Sequence, residues 1–177
     1  MDDVAIHPVQ STDPAWVVGR VTSTVREMLA DRGYDEVEES ATAERVLFAG
    51  RKPSSGIEVH LLLQESKVSV KSARSAREGC DCECVVLVSA LGPTTVARKE
   101  CDKIQYFTFK ELCYNVTKHC LVPKHTLVDV LPAHLKDRRL PTFTARDPVV
   151  AYHGWPVGSV VRIDRVWGNE RTTYYRV

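Results

Sequence analysis

Glu58, Glu65 and Lys67 form one arrangement in this sequence with the makings of a reaction centre. Carboxylates can hold Mg²⁺, and a lysine two residues beyond one of them can support a charged transition state, as in a metal-dependent nuclease. That chemistry requires Glu58 and Glu65 to converge across a strand end, and a charged turn between strands explains the same residues without it. Cys80, Cys82 and Cys84 make a Cys-x-Cys-x-Cys run to which Cys101 or His60 could add a fourth zinc ligand. The usual pairs with two or more intervening residues are missing, and alternating strand positions need a turn to converge. Cys84 also opens an apolar run, where thiols are commonly buried. Cys113 and Cys120 lie near His119 and His125, but sequence proximity alone does not make a nucleophile and its base. A glycine-rich phosphate loop, a Gly-x-Ser-x-Gly elbow and a His-Glu-x-x-His pair are all absent from the sequence. The expectation is a chain with no catalytic residue, no cofactor and no metal. Two basic clusters, Lys71, Arg74 and Arg77, then Arg98, Lys99 and Lys103, could touch phosphates or simply form solvated helix faces. Aromatics do not interleave with them, so they are not a base-stacking platform.

The elements that must position these groups can be read from periodicity. Asp13-Pro14 suits an N-cap and first helical position, and Val17, Val21, Val25 and Met28 recur at helical spacing until Gly33. Ile57, Val59, Leu61 and Leu63 alternate with Glu58, His60, Leu62 and Gln64 in a mostly two-residue period, and Val68 and Val70 resume the pattern after Glu65-Ser66, which predicts a hairpin. Ser72 to Glu78 is helix-compatible and ends at Gly79; Cys84 to Leu91 suits a strand covered on both faces. A short helix is expected after Gly92-Pro93 and a strand over Ile104 to Phe107. The expected fold class is α/β (α+β), and the first module is an α/β sandwich. Past Phe107 the texture changes. Phe109 to Leu112 is weakly helical, Tyr114 to Val122 is ambiguous, and Pro123, Pro132, Pro141 and Pro148 cut the chain into short pieces. Asp147 can cap a helix that has Pro148 at N1 and Gly154 at its end. Ser159 to Val166 and Arg171 to Val177 read as a terminal hairpin around Gly168-Asn169.

Charge divides the chain in the same place. The 177 residues carry a net charge of +1, but residues 1–107 hold 13 Lys/Arg against 17 Asp/Glu, net −4, and residues 108–177 hold 11 against 6, net +5. Two modules with different surroundings follow from this, 1–107 and 108–177, rather than one basic DNA-coating surface. No apolar run approaches the roughly 18 residues of a membrane helix, and MDDVAIHPVQ lacks the order of a signal peptide. An intracellular protein with no membrane partner and reduced cysteines is expected.

Five pieces of the C-terminal half carry a resemblance. In order they are Leu121-Val-Pro-Lys-His125, Leu140-Pro141, Asp147-Pro148, Tyr152-x-Gly154 and Gly158-x-Val160-Val161-x-Ile163. Together they resemble the assembly domain of the fifth-largest subunit shared by eukaryotic nuclear RNA polymerases, whose archaeal counterpart lacks a jaw domain. Upstream, Asp31-Arg32-Gly33-Tyr34, Lys67-Val68-x-Val70-Lys71 and Val85-Val86-Leu87-Val88 before Gly92-Pro93-Thr94 are similar to the jaw domain of the eukaryotic form. Val130 to Arg139 is shorter than in that family, Arg51 to Gly56 replaces a longer stretch, and Ser66 stands where the family often has proline. A compact, divergent copy of this kind fits either a cell or a large DNA virus with its own polymerase.

The resemblance implies a nuclease-like jaw over 1–107 that lacks a nuclease site, and a small α/β assembly domain over 108–177. It implies a noncatalytic polymerase subunit, with the largest subunit, other polymerase subunits and downstream double-stranded DNA as partners. Pro123, His125, Tyr152, Arg162 and Arg165 are then expected at or near the largest-subunit interface, with Asp147, Pro148, Gly154 and Gly158 setting turns. Arg98 and Lys99 are expected near downstream DNA. The implied location is the nucleus for a cellular protein, and a virion or viral factory for a viral one. Two competing expectations stand beside it: a Mg²⁺-dependent nuclease using Glu58, Glu65 and Lys67, and a free-standing DNA-binding regulator.

Overall fold

The computed structural model describes residues 14–101, 103–135, 138–144, 146–168 and 170–177. Helix α1 (Pro14–Asp31) buries Val21, Val25 and Met28 of the stripe its helical spacing predicts, with Leu29 beside them and Val17 partly buried. Asp13, the expected cap, lies outside the described residues. A five-stranded sheet follows in the order β1 (Glu36–Ala41), β2 (Arg45–Lys52), β3 (Ser55–Leu62), β4 (Cys84–Ser89) and β5 (Ile104–Thr108). The first three strands are antiparallel, whereas β3–β4 and β4–β5 are parallel. The parallel joints require crossovers, which are supplied by α2 (Val70–Glu78) and α3 (Thr95–Glu100).

Period-2 alternation sorts β4 onto two cores. Val86 and Val88 pack with α1, Phe48, Val59 and Leu61, while Val85 and Leu87 pack on the opposite face with Val68, Ala73 and Ile104. The strand is buried on both sides, as its unbroken apolar run requires.

The expected hairpin after Glu65 is not formed. Instead, β3 pairs backward with β2 across residues 53–54, in the register Gly50↔Ile57 and Lys52↔Ser55. Val68 makes only a parallel bridge to Pro93, and Val70 is already helical. The Ser69 side chain decides this, because it accepts from Ser72 N and caps α2 before a second strand can begin.

The C-terminal part starts with α4 (Phe109–Leu112), closed by a capping box between Thr108 and Glu111. After a 3₁₀ turn at Val116–Lys118 come β6 (Lys124–Leu127), α5 (Pro148–His153), β7 (Val161–Trp167) and β8 (Glu170–Arg176). The three strands form an antiparallel sheet in the order β6-β7-β8, and Asn169 of the expected final turn lies outside the described residues. Leu112 and Tyr152 belong to the same buried cluster as Val25, Phe48 and Val86, so the hydrophobic core runs from the large sheet into the C-terminal part. Among the described residues no helix is long and apolar enough to cross a membrane.

Candidate assembly interface

Helix α5 is cut to length by its sequence. Asp147 Oδ1 accepts from the backbone N–H groups of Val149 (3.0 Å) and Val150 (3.3 Å), and Pro148 occupies the first turn, where its missing N–H costs nothing. Gly154 ends the helix at φ +67, and Gly158 turns the chain into β7 at φ +88, both in the left-handed region that favours glycine.

Arg32, just past α1, reaches the C-terminal end of α5. Its Nε donates to Tyr152 O (2.8 Å), and its Nη2 donates to Ala151 O (2.9 Å) and to Gln105 Oε1 (3.0 Å). The guanidinium therefore satisfies helix-terminal carbonyls at the negative end of the helix dipole, and burial lowers its pKa without neutralising it. Tyr152 completes the joint: its hydroxyl donates to Asp31 Oδ2 (2.8 Å) and accepts from Asn115 Nδ2 (2.8 Å). Asn115 also donates to Glu27 Oε2 at 2.8 Å, and Lys118 Nζ lies 2.9 Å from Glu27 Oε1. Burial and the neighbouring Asp31 push the Tyr152 pKa well up, so it remains a phenol and a donor.

Tyr152, expected at or near the largest-subunit interface, is only 1% exposed in the isolated chain. Its side chain joins α1 to the 3₁₀ turn and thereby positions the small sheet. Reading motifs one at a time missed this role, although Arg32 and Asp31 lie in the Asp-Arg-Gly-Tyr stretch and Tyr152 in Tyr-x-Gly.

The other expected interface residues lie on the small sheet. His125 faces Ile163 across the β6–β7 pair, and its Nδ1 donates to Pro123 O at 2.7 Å. Arg162 and Arg165 fall on opposite faces of β7 because they are three residues apart. Arg162 Nε is engaged with Asp164 Oδ2 at 3.1 Å. Arg165 is exposed, lies 5.5 Å from the Tyr174 ring centroid, and lines a groove of about 510 Å³ with Arg138, Arg139, Tyr174 and Arg176.

On the large sheet, Arg98 and Lys99 are exposed in α3. Arg74 is partly neutralised by Glu100 (2.7 Å), and Arg77 is drawn to Cys82 O (2.7 Å), so the two basic clusters of the sequence do not add up to one strip of free cations. Glu58 and Glu65 do not converge. Glu58 lies in the first half of β3, with its carboxylate on His60 Nε2 at 3.0 Å, while Glu65 follows the strand's other end, about 13 Å of extended chain or more away. The zinc quartet that Cys80, Cys82 and Cys84 could have formed with Cys101 or His60 is also not assembled among the described residues. Cys80 and Cys82 are joined by a disulfide, contrary to the expectation of free thiols; Cys84 packs towards the α1 core, and Cys101 packs near Tyr106.

One buried imidazole, His60, and one half-buried, His153, make stability depend on pH. Burial lowers the pKa of His60, against a raising effect of Glu58, and burial lowers that of His153, against a raising effect of Asp31. Both folded values lie below the ordinary 6.5. Their contribution is therefore full above that value and is lost as pH falls through the lowered folded values. The urea midpoint should drop between about pH 7.5 and about pH 5.5, and His60→Gln should flatten the drop.

Residues 114–177 match the family model described as RNA polymerase Rpb5, C-terminal domain. The chain is 25% identical over 184 residues to "DNA-directed RNA polymerases I, II, and III subunit RPABC1" of Caenorhabditis elegans, covering 82% of this chain and 87% of that protein. It is 25% identical over 174 residues to "DNA-directed RNA polymerases IV and V subunit 5B" of Arabidopsis thaliana, covering 79% of each chain. Against the rpabc1 subunit of Dictyostelium discoideum it is 38% identical over 69 residues, 35% of each chain.

Proposed function

We propose that this Rpb5-like chain is a noncatalytic subunit of a multisubunit DNA-directed RNA polymerase, with residues 108–177 as its assembly domain and residues 1–107 as its jaw. The observation that carries this reading is coverage: the family model takes in 114–177, and the alignments extend the likeness over about four fifths of the chain. Both modules are thus represented in the relatives.

The assembly domain docks on the largest subunit through the outer end of the small-sheet face that carries Arg165, where Arg165 and Tyr174 stand exposed beyond the buried Val161 and Ile163, with Pro123 and His125 at its β6 end. Tyr152 acts from behind by fixing that sheet to α1. The net charge of +5 over residues 108–177 and the arginine-lined groove suit a partner surface rich in carboxylates. Arg98 and Lys99 lie towards downstream DNA and touch phosphates only, so their contribution is sequence-independent and weakens with salt. A cellular copy works in the nucleus, a viral one in the virion or viral factory.

Removing everything after Arg139 would also take Tyr152 out of the shared core, so point changes make the cleaner test. In a tagged pulldown from native extract with mass identification, Arg165→Glu should reduce recovery of the largest polymerase subunit by about tenfold or more, equivalent to at least about 1.4 kcal/mol. Arg162→Glu, on the opposite face and already paired with Asp164, should retain most of it. The reverse pattern would move docking to the other face, and no polymerase with the wild type would refute the subunit reading.

A further inference from the structure

Glu58, Cys80 and Cys82 each place one ligand atom within 4.8 Å of the other two, a constellation the polymerase-subunit reading does not use. It arises from two segments. Glu58 projects from β3 on the face that also carries His60, and the connection between α2 and β4 turns back over that face after Gly79. Arg77 holds the turn by donating to Cys82 O at 2.7 Å and to Glu83 O at 3.3 Å, and Cys82 N donates to Cys80 Sγ at 3.1 Å.

We propose that the reduced Cys80/Cys82 pair and Glu58 bind one thiophilic divalent cation of the Zn²⁺ class, with the fourth position open to water. Thiolates at about 2.3 Å from a tetrahedral metal lie about 3.8 Å apart, so once the disulfide is opened the two sulfurs must separate, which side-chain rotation allows with the Cα atoms 5.3 Å apart. The N–H bond onto Cys80 Sγ favours a thiolate there. His60 is 3% exposed and its Nε2 holds Glu58 Oε2 at 3.0 Å, which orients the carboxylate as an outer partner orients a metal ligand. All three ligand residues are partly exposed, which leaves the metal a path of entry. The disulfide uses the same two sulfurs, so disulfide and metal exclude each other. A phosphine reductant opens the S–S bond, supplying two electrons as it becomes the phosphine oxide while water supplies the oxygen and the two thiol protons, and the metal then displaces those protons.

The test is a Co²⁺ titration of the full chain kept reduced, followed by Zn²⁺ displacement and read by thiolate-to-cobalt charge-transfer absorption. One equivalent should bind, with the band absent from Cys80→Ser/Cys82→Ser and from protein whose Cys80–Cys82 disulfide is kept closed. Glu58→Gln should keep the band but weaken binding by at least about tenfold, since loss of an outer-shell partner alone costs that much. Cys120→Ser, at an exposed cysteine outside the constellation, should titrate like the wild type. Absence of the band in reduced wild type, or its persistence in the double serine variant, would overturn the site. Unchanged affinity in Glu58→Gln would overturn the three-ligand assignment.

Discussion

Tyr152→Ala should lower folding stability by about 4 kcal/mol, the cost typical of deleting a fully buried aromatic ring. The ring sits in the cluster shared by α1, the large sheet and α4, so its removal leaves a cavity at the junction rather than in one module. It also deprives Asn115 Nδ2 and Asp31 Oδ2 of their common partner. Tyr152→Phe separates the two effects. It keeps the packing and removes only the hydroxyl, and because Asn115 retains Glu27 and Asp31 faces solvent, it should cost about 1.5 kcal/mol. Urea unfolding followed by circular dichroism gives both values. A Phe variant as unstable as the Ala variant would show that the hydrogen bonds, and not the ring, hold the joint.

Arg32→Ala should cost about 3 kcal/mol, close to the Tyr152 effect although no apolar ring is lost. Three charge-assisted hydrogen bonds disappear, and two of their acceptors are terminal carbonyls of α5: Tyr152 O would then rely on water, while Ala151 O keeps the Gly154 N–H. Gly154→Ala probes the same joint from the other side. A Cβ at that position would meet Arg32 Cζ at 3.1 Å, and the backbone is at φ +67, so it should cost about 2 kcal/mol in the wild type. In the Arg32→Ala background only the backbone strain remains, and the cost should fall. A double-mutant cycle measures the difference, and strict additivity would mean that Arg32 does not pack against Gly154 as the structure places it.

These two residues show how much of the site was legible in advance. Gly154 and Asp147 announced the ends of α5 because capping is local chemistry: an αL position and a side-chain acceptor act within a turn of the helix. Likewise, Val17 to Met28 and Cys84 to Leu91 announced a helix and a doubly covered strand through their periods. The β2–β3 hairpin was not legible. Val68 and Val70 continued the alternation as well as any strand would, and the Ser69 cap, one residue before Val70, decided for helix. The convergence of Arg32, Gln105 and the α5 carbonyls was beyond local reading, since it links residues 73 to 120 positions apart.

By itself, then, the sequence determined the mixed α/β class, most element ends, the change in charge and texture near Phe107 and the family likeness. Each of these depends on the order of residues along the chain or on their spacing over a few turns. Only the tertiary structure decided that Tyr152 is an internal joint, which face of the small sheet is covered over Val161 and Ile163, and that Glu58 meets Cys80 and Cys82 rather than Glu65. Those outcomes depend on strand register and on which segments fold back over which face, and register is fixed by burial summed over the whole core, a quantity that no single motif contains.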